Sequence, residues 1–152
     1  MNTSEINKLR YEIGEGNEED EIYKENVLDH FKNPRNKGFL KGANIVHKEL
    51  NPICGDEIKV YLKLQNNEKR KTKNEDYKIV DAKFEGHGCA ISQASISMLT
   101  EKLKDMNIKD IMKIGQEEVL EMLGIKIGIV RMKCAMLSLK TVHFGLKNEN
   151  KK

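Results

Sequence analysis

Apolar and polar positions change rhythm along this 152-residue chain, and each change marks an element. Ile22, Tyr23, Val27, Leu28 and Phe31 recur at helical spacing, predicting a helix over 21–32. Asp20 stands where a cap is needed, and Asn33-Pro34 ends the helix because proline disfavours helical backbone in its predecessor. A period of two follows. Ile58, Val60, Leu62 and Leu64 alternate with Glu57, Lys59, Tyr61 and Lys63, predicting a strand over 57–64 with one buried face. Val80, Ala82 and Phe84 alternate with Asp81, Lys83 and Glu85 in the same way, and the polar stretch 65–76 reads as a long hairpin connection. Residues 43–50 predict a third strand, its register open because Ile45 and Val46 are adjacent. Beyond Gly88 helical spacing returns in Ile91, Ala94, Met98, Leu99 and Leu103. A short piece around Ile108, Ile111 and Met112 follows, then a helix over 117–123 ending at Gly124. A final helix over 131–146 carries Met132, Ala135, Met136, Leu139 and His143 as its apolar stripe. Strands followed by helices predict an α+β domain, a three-stranded antiparallel sheet with helices on one face. Residues 1–20 read as a mobile leader, 21–147 as the domain and 148–152 as a polar tail.

Composition narrows the function. With 38% hydrophobic residues the chain supports one core, aliphatic and methionine-rich, since aromatics are only 5%. No apolar run approaches the ~20 residues of a membrane span, and the start lacks the basic and apolar blocks of a signal peptide, so a cytoplasmic protein that does not enter membranes is expected. Charge is uneven: the first 20 residues hold Glu5, Glu12, Glu15, Glu18, Glu19 and Asp20 against Lys8 and Arg10, an acidic leader on a basic domain. Nucleic-acid binding is not expected, because the basic cluster Lys69-Arg70-Lys71-Thr72-Lys73 contains no stacking aromatic.

Cys54, Cys89 and Cys134 are an odd set in a chain without a secretion signal, which argues against a disulfide framework. Each falls at the edge of a predicted element. Cys54 lies in the turn Asn51-Pro52-Ile53-Cys54-Gly55-Asp56 entering a strand, and Cys89 ends the glycine loop Gly86-His87-Gly88-Cys89 before a helix. Cys134 reads as first-turn in the last helix, about 200° around from Met132 and off its apolar stripe. Helix starts suit anionic sulfur, and glycines let a metal approach the backbone closely. Three thiolates with Asp56, two residues from Cys54, make a set of soft sulfurs and one hard oxygen suited to Zn²⁺ or an iron-sulfur cluster. His87 reads as lining this site and Lys133 as a cation beside Cys134. His30, His47 and His143 read as structural, and Met98, Met112, Met132 and Met136 as core filling.

Four ordered strings carry a more specific signal: Leu28-Asp29-His30-Phe31-Lys32-Asn33-Pro34-Arg35-Asn36-Lys37-Gly38, then Asn51 to Asp56, then Phe84-Glu85-Gly86-His87-Gly88-Cys89-Ala90-Ile91-Ser92, then Arg131-Met132-Lys133-Cys134-Ala135. Together they resemble the NifU/IscU/SufU iron-sulfur cluster assembly family over about residues 21–146. The resemblance implies an α+β scaffold that takes sulfur from a cysteine desulfurase and holds iron, a transient [2Fe-2S] cluster or resting Zn²⁺ at Cys54, Asp56, Cys89 and Cys134. It further implies delivery to recipient apo iron-sulfur proteins, with Cys54 or Cys134 accepting the sulfur. Lys133 before Cys134 resembles the SufU branch. The 44 residues between Cys89 and Cys134 resemble the IscU branch, and Gly128-Ile129-Val130-Arg131-Met132 lacks that branch's Pro-Pro motif. A zinc-dependent sulfurtransferase that activates the desulfurase is therefore the alternative to a scaffold, and a structural zinc domain a third reading.

Overall fold

The structure, a computed structural model, describes residues 18–52, 55–65 and 77–150, with the side chains of 18–23, 130, 149 and 150 outside that description. Its elements are α1 (Glu18–Lys32), β1 (Ile45–Asn51), β2 (Asp56–Gln65), β3 (Lys78–His87), α2 (Ala90–Leu103), α3 (Ile108–Ile111), α4 (Gln116–Leu123) and α5 (Ile129–Asn150). The strands form one antiparallel sheet in the order β1-β2-β3. Ile45, Ile58, Val60, Leu62, Ile79, Ala82 and Phe84 are buried on one face, where α5 lies across β1 and β2 and α2 against β3. This is the α+β arrangement that the alternation predicted. Most of the leader over 1–17 and the connection over 66–76 lie outside the described residues.

Three local readings change. The helix α1 starts at Glu18, so Asp20 sits inside it and is not its cap; acidic residues in a first turn suit the positive end of the helix dipole. In β1 the open register resolves with Ile45 inward and Val46 outward. In β3 the inward residue is Ile79 and not Val80, because the pairing shifts between Lys63 and Leu64: Lys63 faces Asp81 but Leu64 faces Ile79. The extra residue of this bulge turns Val80 to the outside.

The edge of β3 is covered at both ends. Gly38 N–H donates to Phe84 O at 2.7 Å and Phe84 N–H to Asn36 O at 2.9 Å, while Asp105 and Met106 bond Ile79 at the other end. The Asn36 to Gly38 turn thus docks the Pro34–Gly38 loop beside the strand that leads to Cys89, and blunts an edge that would otherwise pair with another chain.

The helix α2 is the centre of the domain, buried on almost every side between α1, the sheet and α5. Its polar residues are accordingly bonded inward. Ser95 Oγ donates to Ala135 O at 3.0 Å and meets Ser138 Oγ at 2.7 Å, tying α2 to α5. Ser97 Oγ receives the Arg35 N–H and contacts His30 Nδ1, both at 2.8 Å, tying α2 to α1. Burial holds His30 below the usual histidine range, and does the same to His143, whose Nε2–H donates to Ile111 O at 2.9 Å.

The helix α5 is longer than its pattern suggested, beginning at Ile129 and continuing through Lys147 to Asn150. Cys134 is therefore in its second turn, not its first, and it is buried at 2% exposure in the main core. The buried side is formed by Cys134, Ala135, Leu137, Ser138, Leu139, Thr141, Val142 and Leu146, with Met132 and Met136 only partly covered. Several of these are small, and Gly145 abuts His47 and Ile45 of β1, so the helix approaches the sheet closely there, while Leu137, Leu139, Val142 and Leu146 fill the core around it. No helix among the described residues is long and apolar enough to cross a membrane.

Candidate metal centre

Asp56, Cys89 and Cys134 come from three elements and meet at one end of the sheet. One ligand atom from each, a carboxylate oxygen and two sulfurs, lies within 4.8 Å of the others. Asp56 opens β2 and is 2% exposed, paired across the hairpin with Asn51. A carboxylate this deep requires partners, and Oδ1 accepts the Cys89 N–H at 3.1 Å. Cys89 is the N-cap residue of α2 without a side-chain cap bond, so its sulfur stays available to the site. Its Sγ lies 3.6 Å from Asp56 Oδ2.

The two glycines before Cys89 make this approach possible. At Gly86 the backbone has φ of +139°, and a Cβ would lie 2.1 Å from Glu57 O, so no larger residue fits there. At Gly88 a Cβ would lie 2.6 Å from Asp56 Oδ1 and 2.7 Å from Ser92 Oγ. Ser92 Oγ in turn donates to Cys89 O at 3.1 Å and stands 3.9 Å from its sulfur. The Gly-x-Gly spacing is plain in the sequence, but the partner that demands it is not, and Ser92 joins the site through the fold. A serine at the third helical position after an N-cap was the available signal.

The donor set fits a metal. Tetrahedral zinc, with bonds of about 2.3 Å to sulfur and 2.1 Å to oxygen, separates sulfur from oxygen by about 3.6 Å and sulfur from sulfur by about 3.8 Å. The observed separation of 3.6 Å between Cys89 Sγ and Asp56 Oδ2 matches the first. Two sulfurs and one carboxylate also leave a position for a further ligand. Cys54 lies outside the described residues; its neighbour Gly55 donates its N–H to Asn51 O at 2.8 Å, closing the turn immediately before Asp56.

The supporting residues sit apart from this cluster. His87 is largely exposed, its Nε2 3.2 Å from Glu57 Oε2, and it is not among the grouped ligands. Lys133 is exposed on α5 and borders a cavity of about 320 Å³ with Leu50, Pro52, Met136 and Lys140. Its neighbour Cys134 turns inward, so the thiol and the ammonium face different sides of the helix. The expectation that Cys134 stands off the apolar face fails because the buried side of α5 runs through Cys134, Ser138, Thr141 and Val142 and not through Met132 and Met136.

Residues 22–152 match the model of the NifU-like N-terminal domain. The chain is 35% identical over 149 residues to the zinc-dependent sulfurtransferase SufU of Bacillus subtilis, covering 86% of this chain and 92% of that protein. It is 37% identical over 128 residues to the iron-sulfur cluster assembly scaffold protein IscU of Aquifex aeolicus, covering 83% of this chain and 74% of that one. Its fold is similar to the crystal structure of a NifU-like N-terminal protein from Brucella abortus, with a TM-score of 0.65 at 19% identity over 88% of this chain and 97% of that chain. The chain belongs to the NifU-like N-terminal domain family.

Proposed function

We propose that this protein is an iron-sulfur cluster assembly scaffold. It takes sulfur from a cysteine desulfurase, gathers iron into a nascent [2Fe-2S] cluster, and passes the cluster to recipient apoproteins in the cytoplasm. The observation that carries the reading is the convergence of Asp56, Cys89 and Cys134 within 4.8 Å, with Cys54 two residues from Asp56 in sequence. Three thiolates bind either iron or zinc, and one hard carboxylate makes the fourth position exchangeable, as a carrier requires and a closed structural zinc site does not.

Sulfur arrives by thiolate attack on the outer sulfur of the desulfurase persulfide. The new S–S bond forms on the scaffold as the old one breaks, and the desulfurase leaves as thiolate. Reduction of that sulfur to sulfide then draws two electrons from an external donor. Attack needs access, and Cys134 is only 2% exposed, so Cys54 is the acceptor on this reading. Cys89, partly covered and bonded near Asp56, serves as ligand.

A second reading has support of its own. The SufU relative is named a zinc-dependent sulfurtransferase, its match spans nearly its whole length, and Lys133 precedes Cys134 as in that branch. Zinc then rests on Cys54, Asp56, Cys89 and Cys134, and its partial release frees a cysteine for sulfur. The two readings separate in one experiment: anaerobic incubation with desulfurase, cysteine, iron and a reductant, followed by visible absorption and transfer to an apo-ferredoxin. A transferable cluster supports the scaffold. A zinc form that raises desulfurase turnover many-fold, with no cluster formed or passed on, overturns it in favour of the sulfurtransferase.

A further inference from the structure

A second cavity, of about 230 Å³, opens where α1, the Pro34–Gly38 loop and the N-terminal end of α2 come together. Gly88 borders it and also abuts Asp56, so one glycine separates the cavity from the metal centre. Gln93, in the second turn of α2, lines it while only 6% exposed. The Gln93 Nε2 has no hydrogen-bond partner, alone among buried side-chain nitrogens and oxygens of the described residues. Native proteins seldom leave such a donor unspent unless a water, ion or ligand satisfies it.

The other polar contributions to the cavity carry the same sign. Lys37 lines it and has no carboxylate partner among the described residues. The first turn of α2 contains no acidic residue to offset the positive end of that 14-residue helix. Among the described residues no aspartate or glutamate lines the cavity. The nearby acids are engaged elsewhere, Glu57 with His87 and Lys48, and Asp56 with the Cys89 N–H. Phe31 and Pro34 supply an apolar wall, and Gly86 and His87, the latter held by Glu57, complete the lining.

We infer that this cavity is a binding site for a small free carboxylate, its anionic head held by Lys37 and the Gln93 amide and its short carbon stem against Phe31 and Pro34. A single ammonium balances the charge of a monoanion and leaves a dianion half-compensated, and the apolar wall accepts a carbon stem that a phosphate does not have. The inference stands whether the metal centre builds clusters or relays sulfur.

The test is a titration of the full-length ¹⁵N-labelled protein, metal-free and zinc-loaded, at constant ionic strength, following the Gln93 side-chain NH₂ resonances. Sodium propionate is expected to move them saturably, and inorganic phosphate to bind at least several-fold more weakly. Lys37 is exposed, so Lys37→Met should keep the backbone spectrum while weakening propionate tenfold or more. Gln93→Met removes the reporting amide, and Ala90 backbone shifts then show the same weakening. No saturable response to propionate overturns the inference, as does tighter binding of phosphate. An unchanged response in Lys37→Met does so too, because the carboxylate would then not be held by Lys37. Tighter binding of N-acetylglutamate amide than of propionate would mean a protein-borne carboxylate and would also overturn it.

Discussion

Replacing Gly88 with alanine places a methyl group 2.6 Å from Asp56 Oδ1, 2.7 Å from its Cγ and 2.7 Å from Ser92 Oγ. Gly88 does not have a positive φ, so the collision and not backbone strain decides the outcome. If the carboxylate turns away, the Cys89 N–H loses a charged acceptor, a loss of about 1.5–3 kcal/mol. If it stays, overpacking costs about 1–3 kcal/mol. The reduced freedom of the unfolded chain returns about 0.4–1 kcal/mol. The net is a destabilisation of about 1–2 kcal/mol, which at a urea slope of about 1–3 kcal/mol/M lowers the midpoint by about 1 M. Displacing the carboxylate should also weaken zinc by about 10–100-fold, the usual effect of disturbing a ligand's support. Urea unfolding of metal-free protein and zinc competition against a chromophoric chelator measure the two effects. Gly128→Ala, at the start of α5 with nothing within 4 Å, is the control: it should lose at most about 1 kcal/mol, the cost of alanine at an N-cap, and keep wild-type zinc affinity. A Gly88→Ala protein with wild-type midpoint and wild-type zinc affinity would refute the close packing of loop against carboxylate.

Three further outcomes are expected. Asp56→Ala should hold a reconstituted cluster longer than wild type, because the exchangeable hard ligand is gone; transfer to apo-ferredoxin at equal or greater rate would contradict this. His30 and His143 are both held below the usual range by burial, so their contribution to stability is full above about pH 6.5, where the unfolded chain is also neutral, and is lost as pH falls toward their folded values. Urea midpoints of metal-free protein should therefore drop from pH 7.5 to 5.5, and His143→Gln should lessen the drop; an unchanged pH slope in that variant counts against it. Ser95→Ala removes the bonds to Ala135 O and Ser138 Oγ between α2 and α5 and should cost about 1–2 kcal/mol by urea unfolding, whereas a neutral result would mean the serines do not join the helices.

The strands were legible because one face of the sheet is buried and the other wet, which prints a period of two on 57–64. Gly124 marked the end of α4 correctly, since its φ of 67° suits glycine. What hid was decided by packing against distant residues. Val80 and Ile79 exchange faces at a bulge that depends on β2, and no local pattern in β3 announces it. In α5 Ala135 and Leu139 of the expected stripe are buried, but Ser138, Thr141 and Gly145 share that side and Met132 and Met136 do not, and small or polar residues do not register as an apolar stripe. Cys134 moves accordingly, from helix edge to core. Asp56, Cys89 and Cys134, which the fold brings within 4.8 Å, stand out in the motifs as candidates. The reasons for Gly86 and Gly88 do not, because the atoms they avoid, in Glu57, Asp56 and Ser92, are set by the β2–β3 register and the α2 start. The unspent amide of Gln93 has no sequence signature at all.

The most direct measurement is the X-ray absorption spectrum of the zinc-loaded protein at the zinc edge. A single site built from Cys54, Asp56, Cys89 and Cys134 predicts three sulfur neighbours at about 2.3 Å and one oxygen at about 2.0–2.2 Å, without imidazole scattering. Cys54→Ser should reduce the sulfur count to two. Two or fewer sulfurs in the wild-type protein, or the outer-shell signature of a histidine ligand, would contradict the account.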